Sequence, residues 1–330
     1  MRKSVVLDCG SWEVKAGLAG DCVPRHGVRT LAGRAMTKFL EAASDSPLFL
    51  GEEAEARVST LELYGDPLSV LQKVTQAALC DRLRVPPEST PLVLTLSDQS
   101  QAMESGFIET LFECFETPAL LWASAAACGV FSRGGVSGLA ADGGELGFSV
   151  VPVFEGLALK DLARFSDQGG AATRRAMREL LGLPAAPAVD FQLDHARAAI
   201  FANPRATEWP LALPDGRPLE LPRSALEEAE SKIVEELLED IRSTREALAQ
   251  TGEVETPQLF LQGGAFLLPG FERRLHAAGE TPNFAPQNAR FEAWIGASLF
   301  ASLESTASLL VPKSVYDEFG ADAVLHRNFQ

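Results

Sequence analysis

Apolar and polar positions alternate at strand spacing in two places along the chain, and the two places share one design. From Ser4 the chain runs through Val5, Val6 and Leu7 to Asp8, turns at Gly10 and Ser11, and leaves with Val14, Ala16 and Leu18 on one face. From Leu139 it runs through Ala141 to Asp142, turns at Gly143 and Gly144, and leaves through Phe148, Val150 and Val151. Period-2 patterning interrupted by glycine predicts strand–turn–strand. Each copy is therefore read as a hairpin with an aspartate at the end of its first strand. A third apolar run, 259–262, ends at Gln262 and turns on Gly263 and Gly264, with Pro269-Gly270 ahead of a helix.

Between these turns the period becomes helical. Leu68, Leu71, Val74, Ala77 and Ala78 predict a helix over 68–83, and Met103, Phe107, Leu111 and Phe115 line one core-facing side of a helix over 101–115. A small-residue helix is expected over 123–131, another over 171–182, and one near 189–201 carrying His195 and Arg197. The longest, 223–250, has an apolar stripe of Leu226, Ile233, Leu237, Ile241 and Leu248, with Ser224 as cap and Glu227 as its capping-box partner. Strands are expected over 48–54, 91–97 and 119–122, a hairpin around Asp215-Gly216, and an exposed loop over 33–47. Hairpin, hairpin, strand–GG–helix, with helices between, predicts a duplicated α/β architecture with a ligand cleft between its halves.

Composition narrows the function. At 330 residues the chain can bury two cores, and 46% hydrophobic with 22% charged residues is ordinary for a globular protein. A net charge of −16 with no basic stretch argues against direct binding of nucleic acid or anionic membranes. The longest nearly uncharged run, 118–132, is too short to span a bilayer, so no membrane insertion is expected. The chain enters a strand directly after Arg2 and Lys3, which reads as no secretory leader. Five cysteines without a CxxC pair suggest reduced thiols in a cytosol-like compartment. Four histidines, none at metal spacing, speak against a zinc site or a Ser-His-Asp hydrolase. There is neither a GxxxxGK[ST] loop nor a strand–GxGxxG–helix.

Glycine in a turn permits positive φ and lets backbone N–H groups approach an anion. An aspartate beside those amides would repel bare phosphate unless a divalent cation and its waters lie between. Either hairpin alone is equally an ordinary turn. The pair, with a third glycine turn downstream, reads as two jaws that grip a Mg-nucleotide from opposite sides. Lys15 can reach back over the first turn, or serve as a solvated strand lysine. Gly169 and Gly170 precede a helix and either offer its free N-terminal amides or form a plain loop-to-helix entry.

DCGSWEVKAGLAGDCVPR, LRVPPESTPLVLT, 142–159, LQGGAFLLPG, WIGASLFASL and VYDEFGADAVLHRNF resemble actin and the actin-related proteins, in order over nearly the whole chain. The resemblance implies a two-lobed α/β fold of the actin/hexokinase/Hsp70 ATPase superfamily. The small lobe would comprise 1–132 plus 292–330, with a flap about 30–61, and the large lobe 133–291, with a protruding part about 168–234. It implies ATP or ADP with Mg2+ or Ca2+ in the cleft. Gly10, Ser11 and Lys15 would hold the phosphates from one lobe and Gly143, Gly144 and Glu145 from the other. Asp8 and Asp142 would order the cation's water shell. Gly169 would approach the ribose, Gly263, Gly264 and Leu267 would line the adenosine pocket, and Arg197 and Arg290 would lie around the base. Self-association into filaments or protofilaments, other actin-like or actin-binding partners, and a cytoplasmic, cytoskeletal location are also implied. The alternative is a non-polymerising subunit that holds ATP structurally in a larger complex. A phosphotransferase on the same fold would need a catalytic carboxylate and an acceptor pocket, and nothing in the sequence points to one.

Departures from the family pattern carry their own expectations. The glutamine and histidine that position the attacking water in actins are replaced by Ala125 and Ser149, so hydrolysis is expected to be slow. Glu145 and Leu146 stand where the family has aspartate and glycine. Relative to actin, residues 55–70 are pared down, much is missing between Ala198 and Leu211, and the apolar loop expected around 225–255 is replaced by the charged long helix. That loop helps knit the two strands of the family's filament, so a double-stranded filament of the usual kind is in question.

Overall fold

The computed structural model describes residues 3–35, 48–56, 61–63, 66–96, 101–186, 189–190, 192–193, 208–212, 218–251, 257–267 and 271–325. Two large sheets carry the same core arrangement. In the first, Val5–Cys9 pairs antiparallel with Glu13–Leu18 and parallel with Leu92–Leu96. Ala119–Ser124 and Val311–Pro312 extend this sheet on one side and His26–Arg29 on the other. In the second, Gly138–Gly143 pairs antiparallel with Phe148–Phe154 and parallel with Leu259–Gln262. Asn283–Phe284, Leu157–Ala158 and Arg164–Ser166 complete it. A hairpin with a parallel strand beside its first member thus occurs twice, which is the duplication expected from the patterning.

Strands buried on both faces need helices on both faces. In the first sheet, Val5, Leu7, Leu94 and Trp122 pack toward Val74, Phe107, Ile108 and Leu111, while Val6, Val93 and Leu121 pack toward Trp294 and Ala297. The Trp294 indole donates to the Val6 carbonyl at 3.0 Å, which fixes helix Glu292–Ala301 under the first hairpin. Helix Ala125–Ser132 touches both halves. Cys128 faces Trp294 and Ala297, and Ala126, Ala127 and Val130 face Val151 and Phe260 of the second sheet. Gly296 allows this crossing, because a Cβ there would lie 1.7 Å from the Cys128 carbonyl oxygen. In the second sheet, Ile233, Leu237 and Ile241 of helix Arg223–Thr251 cover Leu139, Val150 and Leu261.

Several boundaries differ from expectation. The strand expected over 48–54 ends at Leu50, because Gly51 at φ +57° turns the chain into helix Gly51–Ala56. The helix expected over 68–83 is α-helical only over Pro67–Gln76 and widens over Ala77–Arg82, where Leu83 N–H donates to Ala78 at i−5. Helix Arg223–Thr251 follows directly on strand Pro218–Pro222, so Ser224 lies inside the helix and does not cap it. Glu227 instead accepts from Arg223 Nε at 3.1 Å. Strands Ala32–Ala35, Leu48–Leu50 and Leu61–Leu63 form a small separate sheet, and Glu208–Ala212 pairs with Pro218–Pro222. The loop expected over 33–47 begins in a strand and lies beyond Ala35 outside the described residues, as do the turn at Asp215-Gly216, the Pro269-Gly270 step, His195 and Arg197.

Candidate functional site

The two hairpin tips face one cavity of about 230 Å³. From the first come Asp8, Gly10, Ser11, Trp12, Glu13 and Lys15, and from the second Asp142, Gly143, Gly144 and Glu145. The third glycine turn adds Gln262, Gly263, Gly264 and Ala265, and Ala125, Ala289 and Arg290 close the floor and rim. The aspartates occupy equivalent places: Asp8 lies beside Lys15 and Thr95, and Asp142 beside Ser149 and Gln262.

Register explains the electrostatics. Lys15 sits directly across the hairpin from Asp8, and its ammonium donates to Asp8 Oδ2 at 2.6 Å. Burial pulls the Lys15 pKa down, but Asp8, with Glu13 and Asp142 behind it, more than offsets this, so the value ends above that of a free lysine. Lys15 is therefore a fixed positive charge that feels both aspartates. Asp8 Oδ1 also accepts from the Thr95 hydroxyl at 3.5 Å. Glu145 pairs with Arg174 of helix Gly170–Leu180. Next to Asp8, burial drives the Cys9 thiol far above its usual pKa, which removes it as a nucleophile.

The glycines do two different jobs. Gly263 (φ +97°) has no room for a side chain, since a Cβ would lie 2.2 Å from the Gly143 carbonyl oxygen. Its N–H donates to the Ala289 carbonyl at 2.7 Å. Gly263 thus locks the third turn against the second. Gly264 is more open, with Arg290 Cγ the nearest atom to a Cβ at 3.7 Å.

Other expected site residues fall elsewhere. Gly169 packs on the second turn, where a Cβ would be 2.4 Å from Gly147 N, and its neighbour Gly170 lines the cavity instead. The helix amides behind it are not free: Gly170 and Ala171 N–H donate to the Gly144 and Glu145 carbonyls at 3.0 and 2.8 Å. Leu267 lies in the short turn Gly264–Leu267, away from the cavity lining. Ala125 lines the cavity, whereas Ser149 is buried in the sheet at 3% exposure. Trp12, Glu13, Gln262 and Arg174 were not singled out by the sequence reasoning. The first two had a signal, since they lie in the turn between Gly10 and Lys15. Arg174 had none, reading as one more charge on an exposed helix.

Compared with known families, the actin family model matches residues 1–245 and 256–330. The chain belongs to the actin family. Its two-lobed α/β fold is that family's, and the cavity lies between the two hairpins. Among the described residues of this actin-family chain, no helix is long and apolar enough to cross a membrane.

The residues present fit a magnesium nucleotide. Asp8 and Asp142 supply hard carboxylate oxygens, the donor type that Mg2+ or Ca2+ and their waters prefer. Lys15 supplies a compact charge for phosphate. Gln262 lines the cavity and donates to the Ala125 carbonyl at 3.0 Å, while its buried Oε1 lies against Gly129 without a hydrogen-bond partner.

Proposed function

We propose that this actin-family chain binds ATP or ADP with Mg2+ or Ca2+ between its hairpins, hydrolyses ATP slowly, and self-associates into filaments or protofilaments in the cytoplasm. One observation carries the nucleotide reading: Asp8 and Lys15 from one hairpin and Asp142 to Gly144 from the other line the same cavity. In this reading the cation's water shell rests on Asp8 and Asp142. Lys15, Gly10 and Ser11 meet the phosphates from one side and Gly143, Gly144 and Glu145 from the other. Gly263, Gly264 and Arg290 form the nucleoside end, with Gly170 taking the place first given to Gly169. Lobe boundaries at 132/133 and 291/292 follow the same reading.

Slow hydrolysis rests on Ala125, whose methyl can neither donate to nor accept from an attacking water, and on Ser149, which is buried beside Asp142 and does not line the cavity. Calorimetric titration with Mg-ATP tests the first claim and single-turnover phosphate release the second. A turnover like that of a good actin ATPase contradicts the slow-hydrolysis reading.

A non-polymerising subunit is favoured by one feature. Leu226, Ile233, Leu237, Ile241 and Leu248 of helix Arg223–Thr251 are all buried, which leaves a charged outer face where the family has a strand-knitting apolar loop. Pelleting with Mg-ATP at raised salt separates the two: sedimenting polymer supports self-assembly, and monomer at all concentrations supports the subunit.

A further inference from the structure

The lobes meet at the mouth of the cavity through Trp12, Glu13, Arg174 and Arg290. Trp12, at the tip of the first hairpin, has the Arg29 guanidinium 3.1 Å from its ring centroid. On the opposite lobe Arg174, anchored by Glu145, stands 5.7 Å from the same ring. The next residue, Glu13, accepts from Arg290 Nη2 at 2.9 Å. Glu13 is held on its other side too: a Cβ on Gly27 would lie 1.9 Å from Glu13 Oε1, so the carboxylate rests where Gly27 leaves space. The resulting cavity, about 230 Å³, is below the roughly 300–1,000 Å³ usual for ligand pockets.

We infer that Trp12 and Glu13 form a latch between the lobes, and that a nucleotide enters only when Arg290 leaves Glu13. The second half rests on the nucleotide reading above. A carboxylate at the mouth of an anion site repels the incoming polyphosphate, and it also occupies the arginine that would otherwise stack on a base. A partly exposed ion pair and a cation–π contact are each worth a few-fold in equilibrium, about tenfold together. The latch is therefore weak enough for a ligand to open and strong enough to bias the empty state.

The test compares wild type, Glu13→Gln, Arg290→Gln and the double variant. Hydrogen exchange of the ligand-free proteins is read at Gly10 N–H, which donates to the Glu13 carbonyl, and Gly263 N–H, which donates to the Ala289 carbonyl. Exchange about three- to fivefold faster in E13Q, with no further increase on adding E13Q to R290Q, is the expected result. Equal exchange in wild type and E13Q overturns the latch. Calorimetry with Mg-ATP gives the gating its own readout, an affinity about three- to fivefold tighter in E13Q, and equal affinities overturn it. If neither protein binds Mg-ATP, the nucleotide reading and the gating fall together while the exchange result still decides the latch.

Discussion

Glu292 opens helix Glu292–Ala301 at 1% exposure, and neither carboxyl oxygen has a hydrogen-bond partner. The nearby Arg133 Nε stands 3.9 Å from Oε1, while Arg133 gives two N–H groups to Asn283. Burial, opposed by Arg133 and reinforced by the charge of Asp142, lifts the Glu292 carboxyl from 4.5 to about 7. Below pH 4.5 folded and unfolded chains both carry the proton and the group has no effect on stability. Between 4.5 and 7 the folded chain keeps a proton that the unfolded chain has released, so stability falls as pH rises. Above 7 the loss is complete, and at 1.36 kcal/mol per pKa unit it amounts to about 3 kcal/mol. Glu292→Gln keeps the shape and removes the titration. With about 2.1 cal/mol/K of unfolding entropy per residue, 3 kcal/mol over a chain of this length is about 4 °C in Tm. Melting of both proteins from pH 5 to 8 at fixed ionic strength should show a small gap at the acid end. The gap should widen to about 4 °C in favour of E292Q at pH 8. A gap that does not change with pH, or a wild type that is the more stable at pH 8, refutes the reasoning; the second outcome would mean that attraction to Arg133 outweighs burial.

Other changes read the cavity directly. Gly263→Ala forces a Cβ to within 2.2 Å of the Gly143 carbonyl oxygen at φ +97° and should cost about 2–4 kcal/mol in chemical denaturation. Gly264→Ala, with 3.7 Å of clearance, should stay within about 0.5 kcal/mol of wild type. Asp8→Asn removes the carboxylate that Lys15 binds at 2.6 Å. If Asp8 seats the cation's waters, Mg-ATP affinity should fall at least about tenfold in calorimetry. Chelation of divalent ions should weaken ATP binding as much or more, and undiminished binding in EDTA would remove the cation from the site. Ala125→Gln combined with Ser149→His should raise single-turnover phosphate release by about two orders of magnitude, since misplacing the attacking water costs about that much. An unchanged rate would mean that some other group limits hydrolysis.

The hairpins were legible because period-2 alternation and glycine are local signals. Val5–Cys9 with Glu13–Leu18, and Gly138–Gly143 with Phe148–Phe154, form where the pattern changes. Convergence of Asp8 and Asp142 on one cavity had no local signal; it came from the repetition of the motif and from family resemblance. The missed boundaries have equally specific causes. LFLGEEA reads as one apolar-to-polar run, yet Gly51 at positive φ ends the strand. Ser224 followed by Glu227 matches a capping box, but no unwound residue separates helix Arg223–Thr251 from the preceding strand, so the hydroxyl has no terminus to cap. Gly169-Gly170 read equally as an anion-binding helix start or a plain loop-to-helix entry, and the Gly144 and Glu145 carbonyls, which accept from the Gly170 and Ala171 amides, favour the second.

These observations divide the site into a frame and its tips. The frame is made of glycines that accept no substitute: Gly169 against Gly147, Gly263 against Gly143, and Gly296 against Cys128 each sit where a Cβ would lie 2.4 Å or less from backbone. Such contacts fix how the hairpin turns approach one another and say nothing of what is bound between them. The tips are free of that constraint. Trp12 and Glu13 occupy the first turn, and Leu146, 63% exposed, stands at the second. Bulk and charge there would change what the cavity admits while leaving the packing of the sheets intact. A chain can therefore keep the family's frame through wide sequence change and lose or regain its chemistry at a few turn positions. Substitutions at residues 12, 13 and 146 should consequently alter ligand affinity with little effect on melting, whereas those at 169, 263 and 296 should lower stability first, by about 2–4 kcal/mol for alanine at 263.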